Sequence, residues 1–301
     1  YLAYERDAEA LWKNLLVLIR ALGHLPKAPG TKDPQNYLRL PVFASNITGN
    51  PHTFDRDTDL GRFFISALQI IYCNLQGESI LPSALAAKEI ADLMAAFGLV
   101  GDDMLNFTTC CGILAFSKGQ KKPHPLWEAA YRTNSTLNIP LREIIKMDCC
   151  KPGGPGADKV FVVENSGVFS AILDTFGESE QLPPLVCTHG QFTTAALVLL
   201  GKLAENAIIY YSGDFDPEGL QMAERLFQRF PGKVRFWRYD PRDYLNSGAS
   251  VKLPQARLEK LNSLTEPRLQ IIAGLVKEKG VAGYQEALMD DLVSDIKAQA
   301  M

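Results

Sequence analysis

Two aspartates set two residues apart at the end of an apolar run are the side chains of this sequence best placed to do chemistry. They lie in AIIYYSGDFDPEG, residues Ala207 to Gly219. The β-branched and aromatic residues up to Tyr211 predict a buried strand that stops at Ser212 and Gly213 and delivers Asp214 and Asp216 at its C-terminal end. Strand side chains alternate, so the two aspartates share a face and Phe215 points the other way. Carboxylates held this close repel each other unless a cation lies between them, and hard oxygen donors favour Mg2+ or Mn2+. A structural reading competes: Asp216 before Pro217 makes a good helix N-cap, and LQMAERLFQRF, from Leu220 to Phe230, reads as an amphipathic helix. Capping accounts for Asp216 and leaves Asp214 and Gly213 unexplained.

The elements around this segment supply a third acid. KVFVVEN predicts a strand ending at Glu164, followed by a helix over SGVFSAILDTF. PLVCTHGQ predicts a second strand that turns at Gly190, then a helix from Thr193 to Ala204, then the Ala207–Ser212 strand. The helix to Phe230 leads to a fourth strand, Val234 to Tyr239, and Asp240 with Pro241 caps the element after it. Strand and helix alternating at this spacing predict an α/β fold with a parallel, doubly wound sheet and helices on both faces. The functional crevice of such a sheet lies outside the C-terminal strand ends, where Glu164, Asp214 and Asp216 would converge as catalytic residues and metal ligands. Around them, Glu218 reads as first-turn helix charge in preference to an extra ligand, and Asp243 as helix N-terminal charge. His189 lies in the turn after the second strand and Asn165 follows Glu164 as a supporting residue.

Upstream, the pattern is mostly helical. Leu11, Leu15, Leu18, Ile19 and Leu22 fall on one face of a helix over Tyr1–Leu22, and further helices are expected from Leu60 to about Leu75 and from Leu81 to Leu99. Asp55, Asp57 and Asp59 have the alternation of a calcium loop but lack its glycine and closing glutamate in register, so they read as loop and helix-start charges. Leu105–Phe116 suits a strand or a buried helix, Lys118, Lys121 and Lys122 form a basic loop, and Asn138–Asp148 holds a further element. The Pro- and Gly-rich KPGGPGADK gives a linker at 151–158. The domains expected are therefore 1–150, mainly helical; the sheet domain at 159–250; and C-terminal helices at 251–301 packing on it.

Composition bounds the partners. The 301 residues carry 31 Lys plus Arg against 34 Asp plus Glu, a formal net charge of -3, so no whole-chain basic footprint for nucleic acid exists. No apolar run reaches the length of a membrane span, and a start at Tyr1 with no initiator Met reads as a fragment or processed product without a signal peptide. The six cysteines lack zinc or CxxC spacing and read as reduced thiols of a cytoplasmic protein.

A strand ending in Glu (VFVVEN), a glycine turn after the next strand (CTHGQ) and Asp-x-Asp after the third (SGDFDPEG) together resemble a Toprim domain, the catalytic fold of topoisomerases, primases and related nucleases. DFDP-x-G most resembles the Toprim of the topoisomerase VI A subunit. VVENSGVFSAILD, PLVCTHGQ, YYSGDFDPEGLQMAERL and VRFWRYDPRDYL resemble the DUF2399 domain, and LPVFASNITGNPHTFDRDTDLGRFF resembles the DUF3323 region that precedes it. Proteins of this arrangement resemble the JetD-type subunits of Wadjet anti-plasmid systems. The resemblance implies a Rossmann-like Toprim domain after a helical N-terminal domain that is truncated here. It further implies a Mg2+- or Mn2+-dependent endonuclease that cleaves double-stranded circular DNA with an SMC-like ATPase complex, and a homodimer. Glu164 would be ligand or general acid/base, and Asp214 and Asp216 the metal ligands. No tyrosine here matches the one with which topoisomerase VI-like proteins form a covalent DNA bond, so the resemblance points to hydrolysis. Two other readings remain: a non-catalytic docking or DNA-binding module, and a phosphotransferase of the haloacid-dehalogenase type, which Glu218 disfavours.

Overall fold

The computed structural model describes residues 8–29, 37–77, 85–154, 157–177 and 180–300. The chain divides into two compact units, Tyr1–Asn106 and Phe107–Met301.

The first unit is built from α1 (Ala8–Gly23), β1 (Leu38–Arg39), α2 (Leu40–Thr48), α3 (Asp59–Leu75), α4 (Ala87–Ala96) and β2 (Leu99–Val100). Phe43, Phe54 and Phe64 meet at its centre, with Phe54 and Phe64 rings 4.6 Å apart, and Leu68, Phe97 and Leu99 close the core. Thr58 caps α3 by accepting the Gly61 amide, and Asp59 sits in its first turn, so the Asp55–Asp59 stretch is a helix entry. The face of α1 that packs inward is Val17, Leu18, Ala21 and Leu22, whereas Ile19, expected on that face, is 65% exposed. The expected starts at Tyr1 and Leu81 lie outside the described residues.

The second unit begins with β3 (Phe107–Cys111), β4 (Ile113–Ser117), α5 (Pro125–Arg132), β5 (Leu137–Pro140), α6 (Leu141–Ile144) and β6 (Met147–Pro152). The regular alternation comes next: β7 (Lys159–Val163), α7 (Ser166–Leu173), β8 (Leu185–Cys187), α8 (Thr194–Ala204), β9 (Ile208–Ser212), α9 (Pro217–Arg229) and β10 (Val234–Phe236). The chain closes with α10 (Pro241–Asn246), β11 (Val251–Lys252), α11 (Gln255–Leu258), a 3-10 turn, α12 (Pro267–Lys279), β12 (Val281–Ala282), a second 3-10 turn over Gln285–Leu288 and α13 (Met289–Ala300).

Six strands form a mixed sheet in the order β10-β9-β7-β8-β3-β5. The four strands β10, β9, β7 and β8 are parallel, and β3 runs antiparallel to both β8 and β5. Val160 to Val163, Leu185 to Cys187, Ile209 and Tyr211 are all buried, so the sheet is a rigid base for what its ends carry. Each fully buried side chain of this size stabilises the fold by about 1.5–3 kcal/mol.

One expectation is corrected. The sheet is parallel only in its β7–β10 part, because β3 and β5 add antiparallel edges from upstream. The two compact units divide at 106/107, ahead of β3, and the expected linker at 151–158 lies within the second unit. β6 continues through Lys151 and Pro152, and the Gly153 amide bonds the Gly112 carbonyl at 2.8 Å, while residues 155–156 of the expected linker lie outside the described residues. The undecided Leu105–Phe116 stretch is two strands broken at Gly112. That residue has φ +66, and a Cβ there would stand 2.4 Å from the Pro183 carbonyl oxygen.

Candidate functional site

β7 and β9 are hydrogen-bonded neighbours with Val163 opposite Ser212, so the next residues, Glu164 and Gly213, leave the sheet side by side. Gly213 makes that approach feasible. A Cβ on it would lie 2.6 Å from Glu164 Oε2, 2.9 Å from the Tyr211 hydroxyl and 3.0 Å from the Tyr239 hydroxyl. The Asp214 amide then approaches Glu164 Oε2 at 3.4 Å, and the Asp214 carboxylate accepts the Gln285 amide at 2.9 Å.

Electrostatics reports how closely the acids are held. Burial first, and the Asp214 carboxylate second, push Glu164 from 4.5 up to about 8. Burial also raises Asp214 from 3.8 to about 6, with Glu286 and Asp216 adding to it and the Gln285 amide opposing. Two carboxyls that resist ionising side by side carry a deficit of positive charge, and that deficit is what a divalent cation removes.

Asp216 stands differently. It caps α9, accepting the Gly219 amide at 2.7 Å, and its other oxygen pairs with Arg257 at 2.6 Å. Arg257 also pairs with Glu218 at 2.5 Å, and Lys260 meets Glu218 at 2.9 Å. Burial opposes ionisation of Glu218, but Arg257 and Lys260 outweigh it and hold this carboxyl below its ordinary value. The capping role that the sequence allows for Asp216 is thus the one observed, and Glu218 is an ion-pair partner. Of the three acids expected to converge, Glu164 and Asp214 adjoin, while the Asp216 carboxylate is already compensated. Among the described residues, no group of three or more His, Cys, Asp or Glu side chains is arranged to hold a metal ion. The donor set of Glu164 and Asp214, hard oxygens short of positive charge, fits Mg2+ or Mn2+ as a two-carboxylate site; Asp216 fits only if Arg257 moves away.

The remaining expectations fall into place around this pair. Asn165 caps α7 through the Gly167 amide and donates its Nδ2 to Glu286 at 2.6 Å. Asp243 bonds the Asp240 amide in a capping arrangement on α10. His189 is exposed in a left-handed turn, φ +54, with Nε2 2.5 Å from the Thr109 hydroxyl, and burial of its ring lowers its pKa. Arg257, Gln285 and Glu286 are neighbours the sequence did not announce. They come from the C-terminal segment, which the Phe215–Gly283 bridge brings against residues 214–216, and nothing local in a lone Arg or Glu marks such a contact.

Elsewhere, the six cysteines are free thiols, and burial pushes Cys111 and Cys150 up to about 12. Among the described residues no helix is long and apolar enough to cross a membrane.

The family model described as "Protein of unknown function C-terminus (DUF2399)" matches residues 137–296. The model "Protein of unknown function N-terminus (DUF3323)" matches residues 2–115. No curated protein matches the chain.

Proposed function

This chain belongs to the DUF2399 family, and on that premise we propose that it is a Mg2+- or Mn2+-dependent, Toprim-type DNA endonuclease. The observation that carries the reading is the Glu164–Asp214 pair. The two carboxyls stand at the C-terminal ends of adjacent parallel strands; burial and Asp214 raise Glu164 to about 8, and burial, with Glu286 and Asp216 adding to it, raises Asp214 to about 6. A protein that only needs a stable sheet edge gains nothing from that arrangement.

Glu164 and Asp214 would hold the cation, and when bound it would supply the charge that makes water nucleophilic and eases departure of the 3′ oxygen of a phosphodiester. The chain's own groups prepare for this. The Gln285 amide fixes the Asp214 carboxylate, and the Asp214 amide lies against Glu164. Glu164, raised to about 8 by burial and by Asp214 in the metal-free chain, would give up its proton as the cation binds. The substrate we assign is closed circular double-stranded DNA, delivered by an SMC-like ATPase complex, with hydrolysis rather than a covalent tyrosine intermediate.

One observation favours a second reading, a non-catalytic DNA-binding or docking module: Asp216 is neutralised by Arg257 and engaged as a helix cap. Incubating the full-length protein, its ATPase partners and ATP with closed circular plasmid separates the two. Metal-dependent nicked or linear product that disappears in Glu164→Gln supports the nuclease. Plasmid that is bound but intact in every lane supports the docking module.

A further inference from the structure

The C-terminal segment brings a fourth acid to the site. Gly283 pairs with Phe215 through both backbone groups, its amide to the Phe215 carbonyl at 3.3 Å and the Phe215 amide to its carbonyl at 2.9 Å. Only glycine allows this approach, since a Cβ on residue 283 would lie 1.9 Å from the Ser247 hydroxyl oxygen. Two residues on, the Gln285 amide binds the Asp214 carboxylate at 2.9 Å. The next residue, Glu286, accepts Asn165 Nδ2 at 2.6 Å, and Asn165 directly follows Glu164. Glu286 is thereby stitched between the strand end that carries Asp214 and the strand end that carries Glu164.

A second, independent observation points to a ligand at this place. Among the described residues, six buried side-chain atoms have no hydrogen-bond partner, and five of them belong to Tyr211, Ser212, Tyr239 and Gln285. The Tyr211 and Tyr239 hydroxyls flank the same space beside Gly213 that Glu164 Oε2 borders. Tyr211 approaches Glu164 closely enough to favour its charged form, but without hydrogen-bonding geometry. Buried polar groups are ordinarily satisfied, and the two tyrosine hydroxyls beside Glu164 mark a place where a further polar ligand fits.

We propose that Glu286 supplies the third carboxylate of the divalent-cation site, beside Glu164 and Asp214, in the place that Asp216 leaves by pairing with Arg257. The inference rests on the metal-dependent reading and assigns its ligand set. Glu286 is exposed within a short 3-10 turn, and joining the site requires its side chain to rotate away from Asn165. Asn165 holds it close until then.

Calorimetric titration of the full chain with Mn2+ alone tests this without relying on cleavage. Glu286→Gln keeps the shape of the side chain and an oxygen for Asn165, so the fold is preserved and only the charge is lost, which an unchanged metal-free Tm verifies. The expected result is at least tenfold weaker Mn2+ binding in Glu286→Gln, with a smaller loss in Asp216→Asn. Wild-type affinity in Glu286→Gln together with lost binding in Glu164→Gln overturns the assignment of Glu286 and leaves the metal site standing. Absence of Mn2+ binding by the wild-type chain overturns both.

Discussion

Replacing Glu164 by Gln should stabilise this protein at neutral and alkaline pH while removing its proposed activity. The folded state raises the Glu164 carboxyl from 4.5 to about 8, because it is buried and stands beside Asp214. Its favourable contribution is therefore complete below about pH 4.5 and is lost as pH rises through about 8, where the chain must carry an uncompensated charge. With about 1.36 kcal/mol per tenfold change in proton affinity, the wild type at pH 8 is destabilised by on the order of 4 kcal/mol. That figure is a ceiling, since Asp214 shares the proton uptake, and half of it is a conservative expectation. In a unit of this size about 1 kcal/mol moves Tm by about 2–4 °C. Glu164→Gln should thus melt about 4 °C or more above wild type at pH 8 and nearly with it at pH 4.5. Scanning calorimetry in metal-free buffer reads the difference directly. A variant that melts at or below the wild type at pH 8 would refute the argument that Glu164 is held against electrostatic strain. Mn2+ should narrow the gap by stabilising only the wild type.

Three other outcomes are expected from the same packing. Gly213→Ala places a methyl 2.6 Å from Glu164 Oε2 and against two tyrosine hydroxyls; it should cost about 1–3 kcal/mol by denaturant unfolding. Asp216→Ala removes both the α9 cap and the Arg257 partner, with an expected loss of about 0.5–2 kcal/mol, whereas Asp216→Asn, which retains a capping oxygen, should lose less. Glu224 is buried and its Oε1 accepts the Thr265 amide and hydroxyl and the Glu266 amide. Glu224→Ala should cost about 2–4 kcal/mol by leaving those donors unpaired, and raised proteolytic sensitivity near residue 265 would show it.

The sheet was legible where its information is local. The apolar runs at Lys159–Val163 and Ile208–Ser212 are strands with Glu164 and Asp214 just beyond their ends, and Thr193 caps the helix that the sequence starts there. The fourth strand ends early, at Phe236. Arg238 takes a left-handed conformation and turns to Asp295 on α13, a partner 57 residues away that no local pattern reveals. The antiparallel edge was illegible for a similar reason. Thr109 pairs with Cys187 and Cys110 with Leu137, contacts set by long-range register rather than by periodicity. The site shows the same division. Two acids at strand ends could be read from alternation, but the capture of Asp216 by Arg257 and the arrival of Glu286 depend on how the C-terminal segment folds back.

The central claim is that Glu164 and Asp214 form a divalent-cation site that hydrolyses DNA. Its most direct test is the rate at which closed circular plasmid is converted to nicked or linear form, measured across a Mn2+ series for wild type and Asp214→Asn, each with the ATPase complex and ATP. The account predicts product that rises with Mn2+, is abolished by chelation and falls at least a hundredfold in the variant. Equal rates in the two proteins, or cleavage indifferent to chelation, would contradict it.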